Sequence, residues 1–171
     1  MTITLNGTTG ITTTGLTSND IYLSGGVYLG GTGAANKLTD YESGIFTPNI
    51  QPTSGSITWL SSADTLSYIK VGDAVHIFGR LEVSSVSSPS GITRGISPFA
   101  KKILGDQAER ATGVCLIQGT SQACGGFAIY PDAGGSALEI IRTTSSNIAR
   151  DAGAYLQAGD TIDITQTYYA A

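Results

Sequence analysis

One histidine and two cysteines are all the imidazole and thiol this sequence offers a metal, and a structural zinc site needs four such ligands. No metal and no cofactor are therefore expected. Charge is scarce too. Asp, Glu, Lys and Arg make up 13 % of the chain, about half the usual share. The longest basic run is Lys101-Lys102 and the net charge is −4. Nucleic-acid binding needs clustered Lys and Arg to displace counterions, so no nucleic-acid partner is expected. No Gly-Lys-Ser/Thr triplet occurs, which removes the phosphate loop of nucleotide hydrolases, and no Gly-x-Ser-x-Gly, which removes the strained nucleophilic serine turn. No apolar run approaches the ~20 residues that span a bilayer. The opening MTITLNGTTG lacks the basic start and apolar stretch of a signal peptide. The expectation is a soluble chain, made in a cytoplasm, without membrane insertion.

What is present points to strands and turns. The chain has 23 glycines, abundant Ser and Thr, and Val, Ile and Tyr, which suit a pleated surface. The sole helix candidate, KKILGDQAERA at 101–111, is interrupted by Gly105 and reads as a loop with at most one helical turn. The fold class is all-β.

Two regions differ in pattern. Up to about residue 35, apolar residues occur singly or in close pairs (Ile3, Leu5, Ile11, Leu16, Ile21, Leu23, Val27, Leu29) among Thr, Gly, Asn and Ser. Patches such as TITL, DIYL and GVYL read as strands of three or four residues. Such strands cannot enclose a core alone; the segment is either disordered, for which more charge and fewer Ile and Leu would be expected, or, the favoured case, buries its apolar positions against copies of itself or another protein. An intertwined three-chain β stalk is the leading form, although the sequence does not fix the copy number.

From about Phe46 the strands lengthen. Val75, Ile77, Gly79, Leu81 and Val83 alternate with His76, Phe78, Arg80 and Glu82, which puts the first set inward and the second outward. Val71-Gly72-Asp73 is a turn joining this strand to SYIK, with glycine supplying a positive φ. Further strands are SITWL (Ile57, Trp59), GVCLIQG, GFAIYP, ALEIIRT and DTIDITQTYY, the last with Ile162, Ile164 and Tyr168 on one side. Eight or so short strands with regular turns suggest an antiparallel sandwich.

Candidate chemistry is thin. Gly31-Thr32-Gly33 begins like a dinucleotide loop, but Asn36 stands where the third glycine belongs and Thr47-Pro48 follows instead of a helix. Glycoside hydrolysis needs two carboxylates at a set separation. Asp64, Asp73, Asp132 and Asp160 sit singly in turns or on strand faces, and Asp160 follows a glycine as a turn residue. Glu82 beside Arg80 suggests a cross-strand ion pair. His76 shares that face as a solvated or trimer-facing residue rather than a general base. Cys115 and Cys124 could meet across a hairpin. Two small buried side chains are expected, because cytoplasmic thiols stay reduced, and a disulfide stays open. No catalytic residue and no receptor-binding residue is singled out, and the chain is not expected to be an enzyme.

The stretch ANKLTDYESGIFTPNI resembles a join in tail fibre and related virion proteins of tailed bacteriophages. There a glycine-rich stalk ends in Asn-Lys-Leu, then Asp-Tyr-Glu, then Gly, an aromatic, Thr and Pro. Here these are Asn36, Lys37, Leu38, Asp40, Tyr41, Glu42, Gly44, Phe46, Thr47 and Pro48, with Ser43 where Glu is frequent and Ile45 where Thr is frequent. Tyr68, Lys70, Gly72, Asp73 and Val75 are similar to a second block, and Pro98-Phe99 to a Leu-Pro-Phe element. The resemblance runs from about residue 20 to the end. It implies a jelly-roll-like β-sandwich, usually trimeric, on a short β stalk. The expected organisation is an attachment stalk at 1–40 and a β-sandwich at 41–171. The expected function is that of a short trimeric virion fibre. Its partners would be two further copies, another virion protein held by the N-terminal segment, and a host-surface saccharide. It would be assembled in the host bacterial cytoplasm and carried on the virion. A capsid decoration or cement protein, or a tail or baseplate structural protein, is the alternative.

Overall fold

The computed structural model describes residues 27–28, 37–38, 40–101, 113–119, 127–131, 137–143 and 148–171. The chain divides into two units, Met1–Lys37 and Leu38–Ala171. Two short strands, β1 (Val27–Tyr28) and β2 (Lys37–Leu38), pair as a two-stranded sheet. The patches TITL and DIYL, the helix candidate at 102–111, Asp132 and Cys124 lie outside the described residues.

The larger unit is all-β. Its strands are β3 (Tyr41–Phe46), β4 (Gln51–Trp59), β5 (Leu66–Val71), β6 (Ala74–Ile96), β7 (Gly113–Gln118), β8 (Phe127–Pro131), β9 (Ala137–Thr143), β10 (Ile148–Ala149) and β11 (Thr161–Tyr169). They form one antiparallel sheet in the order β10-β9-β8-β7-β11-β6-β5-β3, with β4 added on β6. The path is open at β3 and β10, yet it folds back on itself, because the end of β6 also pairs with β9 through Thr93↔Ile140 and Gly95↔Leu138.

Strand β6 makes this return possible. Its first half alternates as the sequence predicts. Val75, Ile77, Leu81 and Val83 are buried, while His76, Phe78 and Arg80 are exposed. The strand then runs on to 23 residues, far past the nine that alternate. Its pairing with β4 carries three register shifts, near Ser54, Ser56 and Trp59, and Ser88 has φ +42°. Such bulges bend a strand and increase its twist, so the two ends of β6 reach different parts of the sheet. Pro89 is tolerated in this irregular stretch, where a missing N–H costs little. The β5–β6 hairpin closes through Gly72 and Asp73, between the paired Val71 and Ala74. Gly72 has φ +57°, as a two-residue turn with glycine first requires.

The folded-back sheet encloses one core of Ile50, Ile57, Leu66, Val75, Ile77, Leu81, Leu138, Ile140, Leu156 and Ile162 with their neighbours. Each large apolar side chain so buried contributes roughly 1.5–3 kcal/mol. From β11, Ile162, Ile164 and Tyr168 all point inward, as their spacing predicts. Trp59 is half-buried and its Nε1 donates to Ile50 O at 2.8 Å. Cys115 is buried with a free thiol, and burial pushes that thiol up to about 12. It is a small core side chain.

Two predictions follow from the core. Ile77→Val should lower stability by about 1 kcal/mol. The same change at Ile96, exposed on the last residue of β6, should stay within about 0.5 kcal/mol. Urea unfolding of both variants compares identical chemistry inside and outside, and equal losses would reverse the assignment. Gln166 also points inward at 2 % exposure, and neither its amide oxygen nor its nitrogen has a partner. A buried unsatisfied amide costs about 1–3 kcal/mol. Gln166→Met, which keeps the shape and removes the polar atoms, should raise the urea midpoint. A lowered midpoint would mean that a buried water holds the amide.

Candidate interaction surface

His76, Arg80 and Asp163 lie on the outward face of the sheet, where each engages a side chain of a neighbouring strand. His76 is exposed on β6. Its Nδ1 lies 2.9 Å from Thr167 Oγ1 and its ring stacks on Phe78 at 5.4 Å. Arg80 is joined to Asp163 on β11 by two parallel bonds, Nε to Oδ1 at 2.7 Å and Nη2 to Oδ2 at 2.8 Å. A cross-strand ion pair thus exists on this face, between Arg80 of β6 and Asp163 of β11. The Arg80 hydrogen bonds hold the Asp163 carboxyl below its usual range. Asp160 closes the turn into β11, where its Oδ2 accepts from Gln157 N at 2.9 Å. Desolvation raises its carboxyl, partly offset by that bond. On the inner side of β3, Glu42 accepts from the Tyr68 hydroxyl at 2.5 Å. That bond is the main reason the Tyr68 phenol is raised. Gly44 faces the same ring, and a Cβ there would come 2.9 Å from the hydroxyl.

A second cluster escaped the sequence reading. Glu139 on β9 is fully buried between Arg94 of β6, at 3.1 Å, and Arg150 just after β10, with which it makes a two-point ion pair. Burial alone would raise this carboxyl, but hydrogen bonds from Arg150 and Arg94 outweigh it and hold it below its usual range. Close by in sequence, Arg142 grips Asp151 through two bonds of 3.1 and 2.9 Å and lies 4.2 Å over the Tyr155 ring. These pairs tie β6, β9 and the 3₁₀ turn Ala152–Tyr155 into one corner. Among the described residues, no three of His, Cys, Asp and Glu gather as a metal site. No helix among them is long and apolar enough to cross a membrane.

The least ordinary feature is the outward face of β3, β5, β6, β11 and β7. A solvent-facing sheet surface is normally polar. Here the register sets apolar side chains among Ser, Thr and Ala in rows across the strands. One row runs Ile45, Ser67, Phe78, Thr165, Val114. A second runs Tyr41, Val71, Ala74, Tyr169, and a third pairs the Arg80–Asp163 bridge with Leu116. Tyr41, Ile45, Val114 and Leu116 are more than half exposed, and Ile69, Val71, Phe78 and Tyr169 more than a third. Cross-strand neighbours lie about 5 Å apart, so these form one patch.

Comparison with known proteins places the fold. The chain matches no protein-family model and no curated protein. Among solved structures it is similar to the crystal structure of the Dettilon tailspike protein (gp208), with a TM-score of 0.63 and 21 % identity. The match covers 74 % of this chain and 23 % of that one. The chain therefore shares its fold with part of a tailspike protein and spans about a quarter of that protein's length.

Proposed function

We propose that the chain is a structural bacteriophage virion protein. In this reading it is a short trimeric fibre whose residues 1–40 attach to the particle as a stalk. Residues 41–171 form a jelly-roll-like β-sandwich held outward toward the host surface, where a saccharide is the receptor class. The observation that carries the reading is the tailspike-like fold. The Asn36–Pro48 join, with its similarity to fibre proteins, supports it from the sequence.

Immunogold labelling of intact particles with antibody against residues 41–171 tests the reading. Gold at the tail tip or on a projecting fibre is the expected result. Gold evenly over the head would replace the fibre by a decoration protein, and unlabelled particles would remove the protein from the virion. Particles made without the protein should rebind the full chain but not a chain lacking residues 1–40. Equal rebinding would move the anchor onto the β-sandwich.

A further inference from the structure

We infer that the outward face of β3, β5, β6, β11 and β7 is the surface through which copies of this chain contact one another. The inference deepens the trimeric reading above and rests on it.

Extent is the first argument. Five strands spaced about 4.8 Å apart, read over six or seven residues rising about 3.4 Å each, make a face roughly 20 Å on a side. Exposed apolar side chains stand on all five strands of it, Tyr41 and Ile45, Ile69 and Val71, Phe78, Tyr169, and Val114 and Leu116, and an exposed cluster of this kind rimmed by polar residues marks a protein interaction site. Phe78 on the central strand has Ser67 and then Ile45 toward one edge, and Thr165 and then Val114 toward the other, so small or uncharged side chains separate the apolar ones.

Charge is the second argument, and it selects the occupant. The chain carries a net −4, so copies repel except where charge is absent. From the Tyr41 row to the Thr165 row, the outward positions of these strands hold no carboxylate and no Lys or Arg. Beyond them, Arg80 and Asp163 neutralise each other at 2.7–2.8 Å. A partner of unlike sequence would find no charge pattern to read on this face, whereas a copy meets nothing it repels. The three-copy arrangement turns the three faces toward a common axis, with β6 central and Phe78 and His76 nearest that axis.

The test uses the full chain. Light scattering should give about 52 kDa, three times the 17.5 kDa chain. Phe78→Asp, and independently Val114→Lys on another strand, should raise the dissociation constant at least 100-fold and give the monomer at micromolar concentration. Ser62→Asp, in an exposed turn off this face, should stay trimeric. Hydroxyl-radical footprinting reads the wild-type chain with no substitution. Leu116 and Ile96 are equally exposed in the single chain, at 55 %, but only Leu116 lies on the face. After correction for intrinsic reactivity, Leu116 should be oxidised several-fold more slowly than Ile96. Trimers that survive both substitutions, with Leu116 and Ile96 equally reactive, overturn the assignment of this face and leave the trimer standing. Wild-type chain that is monomeric at every concentration overturns the trimeric reading itself. Slow oxidation of Leu116 in such a monomer would mean that another part of the same chain covers the face.

Discussion

Glu139→Gln should cost the fold about 3 kcal/mol at pH 7. Glu139 is fully buried, while the side chains of Arg94 and Arg150 are 42 % and 48 % exposed. Removing one member of a buried ion pair costs about 3–5 kcal/mol. The lower end applies here, because both guanidinium groups reach water and can be re-solvated. Glutamine keeps the shape of the side chain but turns an amide N–H₂ toward donors that need an acceptor. The pH dependence has a definite sign. The Glu139 carboxyl is depressed in the folded chain, since the bonds from Arg150 and Arg94 outweigh burial. Its stabilisation is therefore complete above the unfolded carboxyl pKa, about 4.3, and is lost as pH falls through the depressed folded value. Asp160 moves the other way, being raised by desolvation, but it is common to both proteins and cancels in their difference. Urea unfolding of wild type and variant across pH 7 to pH 3 should give a gap that is full at neutrality and narrows in acid. A gap below 1 kcal/mol at pH 7, or one that does not narrow, would mean that the two arginines are not what holds Glu139.

That cluster also marks where sequence patterns stop being informative. Alternation identified the inward faces at Val75–Val83 and Ile162–Tyr168, because one side of each strand packs on the core and period two reports that directly. In β9, Leu138, Glu139, Ile140 and Ile141 are all buried, so period two has nothing to separate. Glu139 is accommodated by arginines 45 and 11 residues away in sequence, a pairing no local pattern encodes. The second half of β6 was hidden for another reason. SSVSSPSG has the composition of a loop, and only its ladder with β4 makes it a strand. The outward apolar face was hidden by dispersion. Each of its strands offers one to three apolar residues among Ser, Thr and Ala, which on any single strand looks ordinary. Phe78 between His76 and Arg80 was the one signal available, and it gains meaning only when the register sets Ile45, Ile69 and Val114 on the same side. The resemblance of the Asn36–Pro48 join to fibre proteins is legible in local sequence alone, whereas the place of its strand β3 at the open edge of the sheet is not.

Gly95→Ala should be the most damaging single-methyl change in the described residues of β6, at about 4 kcal/mol. Gly95 is buried where the end of β6 pairs with Leu138 of β9. A Cβ there would overlap Ile50 Cγ1 and come 2.6 Å from Pro48 O. Neither neighbour can give way cheaply. Ile50 is 1 % exposed in the core, and Pro48 O accepts the hydrogen bond from Ile96 N at 2.6 Å. Overpacking a tight core site typically costs 1–3 kcal/mol, and displacing a buried backbone hydrogen bond adds about 1. Backbone conformation is not the cause, since Gly95 does not have a positive φ. Gly72 supplies the contrast. It has φ +57° and a Cβ there would meet nothing within 4 Å, so Gly72→Ala should cost only the left-handed conformation, about 1–2 kcal/mol. The two variants thus separate lack of space from backbone strain. Thermal and urea unfolding should place Gly95→Ala well below Gly72→Ala, with a chain that does not fold at 37 °C as the extreme case. The expected order follows from where the sheet turns back on itself: the β6–β9 contact passes over the short segment holding Pro48 and Ile50, and only a residue without a side chain lets that backbone pass. If Gly95→Ala were as stable as wild type, the close approach of the Pro48–Ile50 segment to the end of β6 would be wrong, and with it the path by which the sheet folds over its core.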